Sequence, residues 1–419
     1  MFTPHSPPLS SPSQASANVM TPREAEAVAQ YARLKRHSDT LEKDLEEARN
    51  SKKSRKNTSI VTSRARGIKR VATMHSVREM VDASDRRELA KMNLESDDNS
   101  EDEDLLTDED IEARTNLKKR EDRLCQAFKV VCQLIPGFEK TISTADDGEQ
   151  TKYLSMLEKH ASTARGDDIS KVKSALASII NSTEPMPSPL LEANSKSNRG
   201  FQHDATGLRL CPIHYDFRQQ EVRDKIRACD SDFPTNDTIL FHGLYADFRG
   251  DPSDVEKGFL KSGELIKLAK VIFTSSPSAA KYDVNAVNQI PAAKISKVPT
   301  KQNVAQLLGL TAVTPPLIAY VATMYHFGLT DASSWDVTYN GFDYIALYDT
   351  IVDYFTDATP GTPGAEQSKE ILSWWNRHVF PEQQSAAAAA TAAVSFRNAL
   401  KSQRAAKAAA ASVTGTPVV

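Results

Sequence analysis

Three groups of residues have side chains and spacings suited to chemistry. Asp349, Asp353 and Asp357 recur every four positions. On a helix that puts three carboxylates on one face, able to hold a divalent cation or to divide into an acid and a base. The same stretch carries Phe342, Ile345, Tyr348, Ile351, Val352 and Phe355 as an apolar stripe, so the simpler expectation is a solvated acidic face on an amphipathic helix. Cys211-Pro212-Ile213-His214 has ligand-like spacing, with His203, Cys229 and His242 nearby. Zinc needs four thiolate or imidazole ligands, usually as two tight pairs. Only one tight pair exists, and a buried structural cysteine is the simpler reading. Trp374-Trp375 with Arg377 and His378 could stack bases. Adjacent helical residues point about 100° apart, which puts Trp375 in the core with Ile371 and Val379 and leaves Trp374 at its edge.

The chain lacks a Gly-x-x-x-x-Gly-Lys-Ser/Thr loop, a Gly-x-Gly-x-x-Gly turn, a His-Glu-x-x-His pair and a Gly-x-Ser-x-Gly elbow. No catalytic, cofactor-binding or metal-ligating residue is assigned, and no cofactor is expected. Without a recognisable nucleophile–base pair the reading leans away from an enzyme.

The elements that must position these residues are mostly helices. The 419 residues carry a formal charge of −3, but its distribution is uneven. From Arg49 to Arg78 there are ten Lys/Arg and no Asp or Glu; from Glu95 to Glu112 there are eleven Asp/Glu and no Lys or Arg. Blocks of one sign repel themselves and are usually solvated. Four cysteines are too few for a disulfide scaffold, which suggests a reducing compartment. The Pro/Ser-rich first residues lack the apolar core of a signal peptide.

Residues 1–20 read as a disordered lead. Thr21, Pro22 and Glu24 open a helix, and Ala27, Leu34, Leu41 and Ala48 with Tyr31, Ser38 and Leu45 make a short heptad pattern over 21–50. Residues 51–110 read as a disordered arm, basic and then acidic, with a marginal helix over 72–94 on Met74, Val77, Val81, Leu89 and Leu94. A small helical region spans 111–182, from a helix that begins near Thr107 and stops at Pro136-Gly137, and two more near 149–163 and 167–182. Pro185, Pro187 and Pro189 with the polar residues to Gly200 make 183–200 a linker. A helical core domain fills 201–382, and 383–419 is an Ala-rich tail. The uncharged stretch from Gln302 to Thr330 is broken by Gly309 and Pro315-Pro316. After the prolines only about thirteen residues remain before Gly328–Asp331, short of the roughly 20 of a membrane span, and two buried helices are expected instead.

Several blocks in the C-terminal half resemble a domain of unknown function common in mushroom-forming fungi (Basidiomycota). They are Thr206–Pro212, Gly258–Lys261, Ile272–Ser278, Asn303–Ala305, Leu308–Leu310, Val313–Pro315, Ile318–Tyr320, Ser333–Trp335, Tyr348–Phe355 and Trp374–Phe380. The resemblance covers about 200–382. It implies a fungal source and a domain boundary, and it brings no activity or catalytic residue.

The functional expectation is a non-enzymatic nuclear protein-interaction factor. Lys52, Lys53, Arg55 and Lys56 would form its import signal; without that signal it would be cytoplasmic. Its protein partners are unknown. One alternative is a nucleic-acid- or chromatin-associated factor, linked to mobile elements, that touches phosphate through 49–78. Another is an enzyme of unrecognised class using the Asp349/Asp353/Asp357 face or the Cys211–His214 region.

Overall fold

The least polar stretch of the chain becomes the centre of the molecule. A computed structural model describes residues 59–94, 107–236, 238–280, 282, 302–381 and 394–406. The chain divides into two units, Met1–Ile60 and Val61–Val419, and the second is the one described. The heptads of 21–50 and the basic cluster Lys52–Lys56 lie outside the described residues.

The fold is mostly helical. In order, the helices are α1 (Ile68–Val71), α2 (Val77–Leu94), α3 (Asp108–Leu134), α4 (Phe138–Thr144), α5 (Asp147–Asn181), α6 (Asp204–Leu210), α7 (Gln220–Arg227), α8 (Gly263–Ala269), α9 (Ser276–Ala280), α10 (Val304–Leu308) and α11 (Pro315–Leu329). The hairpin β1–β2 (Thr338–Tyr339, Phe342–Asp343) then leads into α12 (Tyr344–Thr356) and α13 (Pro363–Val379). Residues 394–406 form an exposed helix.

Every residue of α11 from Leu317 to Leu329 is buried. A helix apolar all round has no face to give to water and must be surrounded; α1, α5, α6, α8 and α12 pack around it. Among the described residues no helix is long and apolar enough to cross a membrane. Gly328, one residue from the end of α11, lets that helix approach α5. A Cβ there would lie 2.6 Å from Leu176 Cδ1 and 2.8 Å from Val172 Cγ1.

Two tyrosines five positions apart on α11 each anchor a buried polar group. Tyr320 Oη donates to Asp168 Oδ2 at 3.0 Å, and Asp168 takes a two-armed bond from Arg70, Nε at 2.6 Å and Nη2 at 2.8 Å. Tyr325 Oη donates to Glu264 Oε2 at 2.7 Å, and Glu264 is held in the same way by Arg209 at 2.8 and 2.7 Å. Each group joins three helices, and each buried charge has a charged partner.

The described structure corrects the expected domain plan. The reading of 51–110 as a disordered arm does not hold for residues 59–94, which are largely helical. Ala65, Ile68, Val71, Met74, Val77, Met80 and Val81 are buried in the same core as Leu124–Phe138 and the C-terminal helices. Lys69 and Arg70, charged and therefore expected in water, find carboxylates about ninety residues away on α5. The small region 111–182 is not a separate body, because α5 packs directly on α11. The helices expected at 149–163 and 167–182 are one helix through Gly166. The 183–200 segment is irregular, yet Leu191, Lys196 and Arg199 in it are buried.

Local signals explain other details. Thr107 and Asp110 cap α3 reciprocally, Asn303 and Gln306 do the same for α10, and Pro136-Gly137 follows the end of α3 as expected. Val255, Phe259, Leu260, Leu265, Ile266 and Phe273 have helical spacing, yet α8 starts only at Gly263, because Gly258 (φ 75°) and Leu260 (φ 53°) turn the chain first. Asn340-Gly341, with φ 49° and 79°, makes the tight turn of β1–β2.

Candidate functional site

The three spaced aspartates of α12 face α3. Arg123 Nη1 donates to both oxygens of Asp353 at 2.7 and 2.6 Å, and Arg123 Nη2 to Asp349 Oδ2 at 2.8 Å. Lys119 Nζ donates to Asp357 Oδ2 at 2.6 Å. Cations four apart on α3 therefore meet carboxylates four apart on α12. This corrects the expected solvated acidic face: two of the three carboxylates are mostly covered, and exposure rises outward from 15% at Asp349 to 24% at Asp353 and 45% at Asp357. Burial pushes the Asp353 carboxyl above its ordinary value, against the pull of Arg123. Among the described residues no group of three or more His, Cys, Asp or Glu is placed to hold a metal ion.

At the inner end of this ladder His75 Nε2 lies 3.0 Å from Asp349 Oδ1, the orienting contact of a general base. A cleft of about 710 Å³ opens beside it, lined in part by Lys69, Glu158, Arg165 and Trp335. Lys69 Nζ donates to the Met74 and His75 carbonyls at 3.2 and 2.5 Å and pairs with Glu158 at 2.9 Å. Burial lowers the Lys69 ammonium from its ordinary value, while Glu158 pulls it back. Burial opposes ionisation of Glu158, but Lys69 and the Val77 N–H outweigh it and leave that carboxyl below its usual range. The Arg165 guanidinium lies over the Trp335 ring at 4.7 Å. The cleft's serines are occupied elsewhere: Ser162 Oγ donates to Glu158 and Ser76 Oγ caps the Glu79 N–H. His75 is thus oriented as a base would be, with neither serine bonded to it.

The cysteine–histidine group does not converge. Cys211 is buried, its Sγ near the carbonyls of Pro212 and Tyr215, and burial pushes its thiol up to about 12. His214 and Cys229 are exposed. His242 bonds the Tyr215 carbonyl through Nε2 at 2.9 Å and accepts the Gly250 N–H at Nδ1. His203 bonds the Pro189 carbonyl through Nε2 and caps α6 by accepting the Ala205 N–H. Both rings serve loop backbone. Trp375 is fully buried and donates Nε1–H to the Leu260 carbonyl at 2.9 Å. Trp374 is half-buried against His378. Of the basic stretch 49–78, Lys69 and Arg70 are buried in ion pairs and unavailable to phosphate.

A surface that sequence reasoning passed over is the solvent-facing end of the α2–α3 hairpin. Arg86–Glu121, Arg87–Asp122 and Arg120–Glu79 pairs tie the two helices together. Beyond them residues 107–118 of α3 and 88–92 of α2 are exposed. The first ten residues of α3 carry it about 15 Å outward at the helical rise. Leu89, Met92, Ile111 and Leu117 are about half exposed or more. Asp108, Glu109, Asp110 and Glu112 surround Ile111, all exposed. Leu117 continues the Leu124/Val131 seven-residue stripe past the point where the core ends.

A model of a family of unknown function, DUF6698, matches residues 159–380. The chain belongs to this family. No curated protein and no solved structure matches it.

The family stretch starts inside α5 and runs to the end of α13. It contains α11, both carboxylates that bind its tyrosines, and the α12 side of the ladder. Arg70, His75, Lys119 and Arg123, which meet those carboxylates, come from before it. So does the whole α2–α3 hairpin.

Proposed function

We propose that the chain is a non-enzymatic nuclear protein-interaction factor whose α2–α3 hairpin end takes an amphipathic partner helix with basic flanks. The observation that carries this reading is the set of exposed apolar side chains Leu89, Met92, Ile111 and Leu117 on helices that extend past the core. A short isolated helix is marginal in water, and a helix laid along this one would cover those side chains. The acidic first turn of α3 sets the sign of the partner's charge. Commitment of the chain's conspicuous acids to internal ion pairs supports a binding role over a catalytic one. The heptads of 21–50 would offer a second contact, and Lys52, Lys53, Arg55 and Lys56 would direct import. We also place the source among mushroom-forming fungi, from the sequence blocks between Thr206 and Phe380.

A Leu/Lys-patterned helical peptide is expected to bind the full chain, and the same peptide with Glu for Lys is not. Leu89→Glu with Leu117→Glu is expected to abolish that binding at an unchanged melting temperature. Equal binding of both peptides, or binding that survives the double change, rejects the surface. For the import half, replacing Lys52, Lys53, Arg55 and Lys56 by Ala is expected to shift the protein to the cytoplasm; unchanged nuclear residence removes that signal.

A further inference from the structure

A second cleft, of about 500 Å³, lies between the chain following α7 and the β1–β2 hairpin, with Phe201, Phe233 and Phe342 in its lining. That volume suits a small ligand. His326 of α11 also lines it, 6% exposed. Its ring stacks on Phe342 at 3.8 Å and 8°, with Phe241 and Tyr344 edge-on to it. Unlike His75, His203, His242 and His378, it has no hydrogen bond among the described residues to orient it, and its Nδ1 is sealed from solvent without a partner among them. A neutral imidazole carries one N–H and one lone pair. Sealed, unpaired N–H groups are rarer than sealed acceptors, so the proton belongs on Nε2, the nitrogen left to face the cleft.

The charge around this floor is unusual. Arg199 lines the same cleft, is 1% exposed, and donates only to carbonyls: Gly328 at 2.7 Å, Lys173 at 2.8 Å and Glu192 at 2.9 Å. Its Nε has no partner among the described residues. Lys196 donates to the Phe327 carbonyl at 2.6 Å and stands over the Phe327 ring. Among the described residues neither cation has a carboxylate within ion-pair distance. The end of α11 supplies only about half a negative charge. Asp331, also in the lining, accepts from Tyr339 Oη at 2.8 Å. Buried cations ordinarily have anionic partners; of these two, Lys196 feels the charge of Asp331 without pairing with it, and Arg199 has no carboxylate partner among the described residues. Arg227, on the cleft's other side, is already paired with Asp204.

We propose that this cleft binds a small planar aromatic carboxylate, its ring among the phenylalanines and its carboxylate accepting the Nε2–H of His326. This site is separate from the hairpin surface and does not depend on it.

The test uses the full chain, 2-naphthoate as probe and the neutral 2-acetonaphthone as its uncharged counterpart, read by calorimetry or ligand-observed NMR. Saturable one-site binding of 2-naphthoate is expected, with the ketone at least tenfold weaker. His326→Leu is expected to weaken binding at least tenfold. Ser231→Trp, at an exposed position of the lining, is expected to abolish it by filling the cleft. If His326→Leu does not fold, Ser231→Trp decides. Absence of saturable binding, a ketone that binds as tightly, or binding unaffected by Ser231→Trp overturns the proposal.

Discussion

Lys196 and His326 sit one helix end apart and respond to pH in separable windows. Burial, with Arg199 beside it, holds the Lys196 ammonium down at about 7 from 10.5. Between those values the unfolded chain binds more protons than the folded one, so stability rises with pH from about 7 to 10.5 and the full penalty is present below 7. Burial, with the charge of Lys196, holds His326 at about 3 against 6.5. Its contribution is complete above 6.5 and is lost as pH falls towards 3. Lys196→Met is expected to remove part of the rise between pH 7 and 10, and His326→Phe part of the acid loss. Denaturant melts of each variant against the parent across both windows check this; superimposable difference curves would mean that neither group is buried as described. The sequence names both residues but neither shift. Lys196 stands in a Ser/Asn/Lys stretch with every mark of a linker, and its place over the Phe327 ring, on the Phe327 carbonyl, exists only in the folded chain.

The α3–α12 ladder makes a graded prediction at the scale of elements. Removing one member of a buried charge pair costs about 3–5 kcal/mol, whereas exposed pairs contribute about 0–1 kcal/mol. Arg123 is 15% exposed and serves two aspartates. Arg123→Met is therefore expected to cost about 2 kcal/mol, an intermediate figure allowing for solvent screening. Asp357→Asn, at the open end, is expected to change stability by less than about 0.5 kcal/mol. Urea denaturation of the two variants measures both; equal effects would show that the ladder is not graded. The four-residue recurrence of Asp349, Asp353 and Asp357 is plain in the sequence. Lys119 and Arg123 share that spacing more than two hundred residues earlier. Like spacing in distant segments does not say that they meet, so the face reads as solvated until α3 is laid against it.

At the scale of the whole molecule the family stretch is an incomplete core. Its central helix α11 touches α1, and α5 touches α1 and α2; Arg70 supplies the charge that Asp168 needs. A fragment of residues 159–380 would expose those faces and strip Asp168, buried in the full chain, of Arg70, leaving it Tyr320 and the more distant Lys171. Such a fragment is expected to be insoluble or uncollapsed, and one of residues 61–380 is expected to fold cooperatively. Circular dichroism melts of both fragments decide it, and a sharp transition in the shorter one would contradict the packing.

The sequence by itself determined what depends on near neighbours. It set the helical class, the start of α3 at its Thr107 cap, its stop before Pro136-Gly137, the Pro-opened helices α11 and α13, and the depth of α11, whose thirteen consecutive buried residues carry no charge. The Asn340-Gly341 turn is set by equally local chemistry. Tertiary structure alone decided which charges are buried. Lys69, Arg70 and Arg209 go inside because carboxylates wait there, and Glu158, Asp168 and Glu264 stand fifty-five to ninety-eight positions from them. It also decided that helices before residue 159 finish the core. Burial is a property of the assembled faces, and no window of sequence contains both sides.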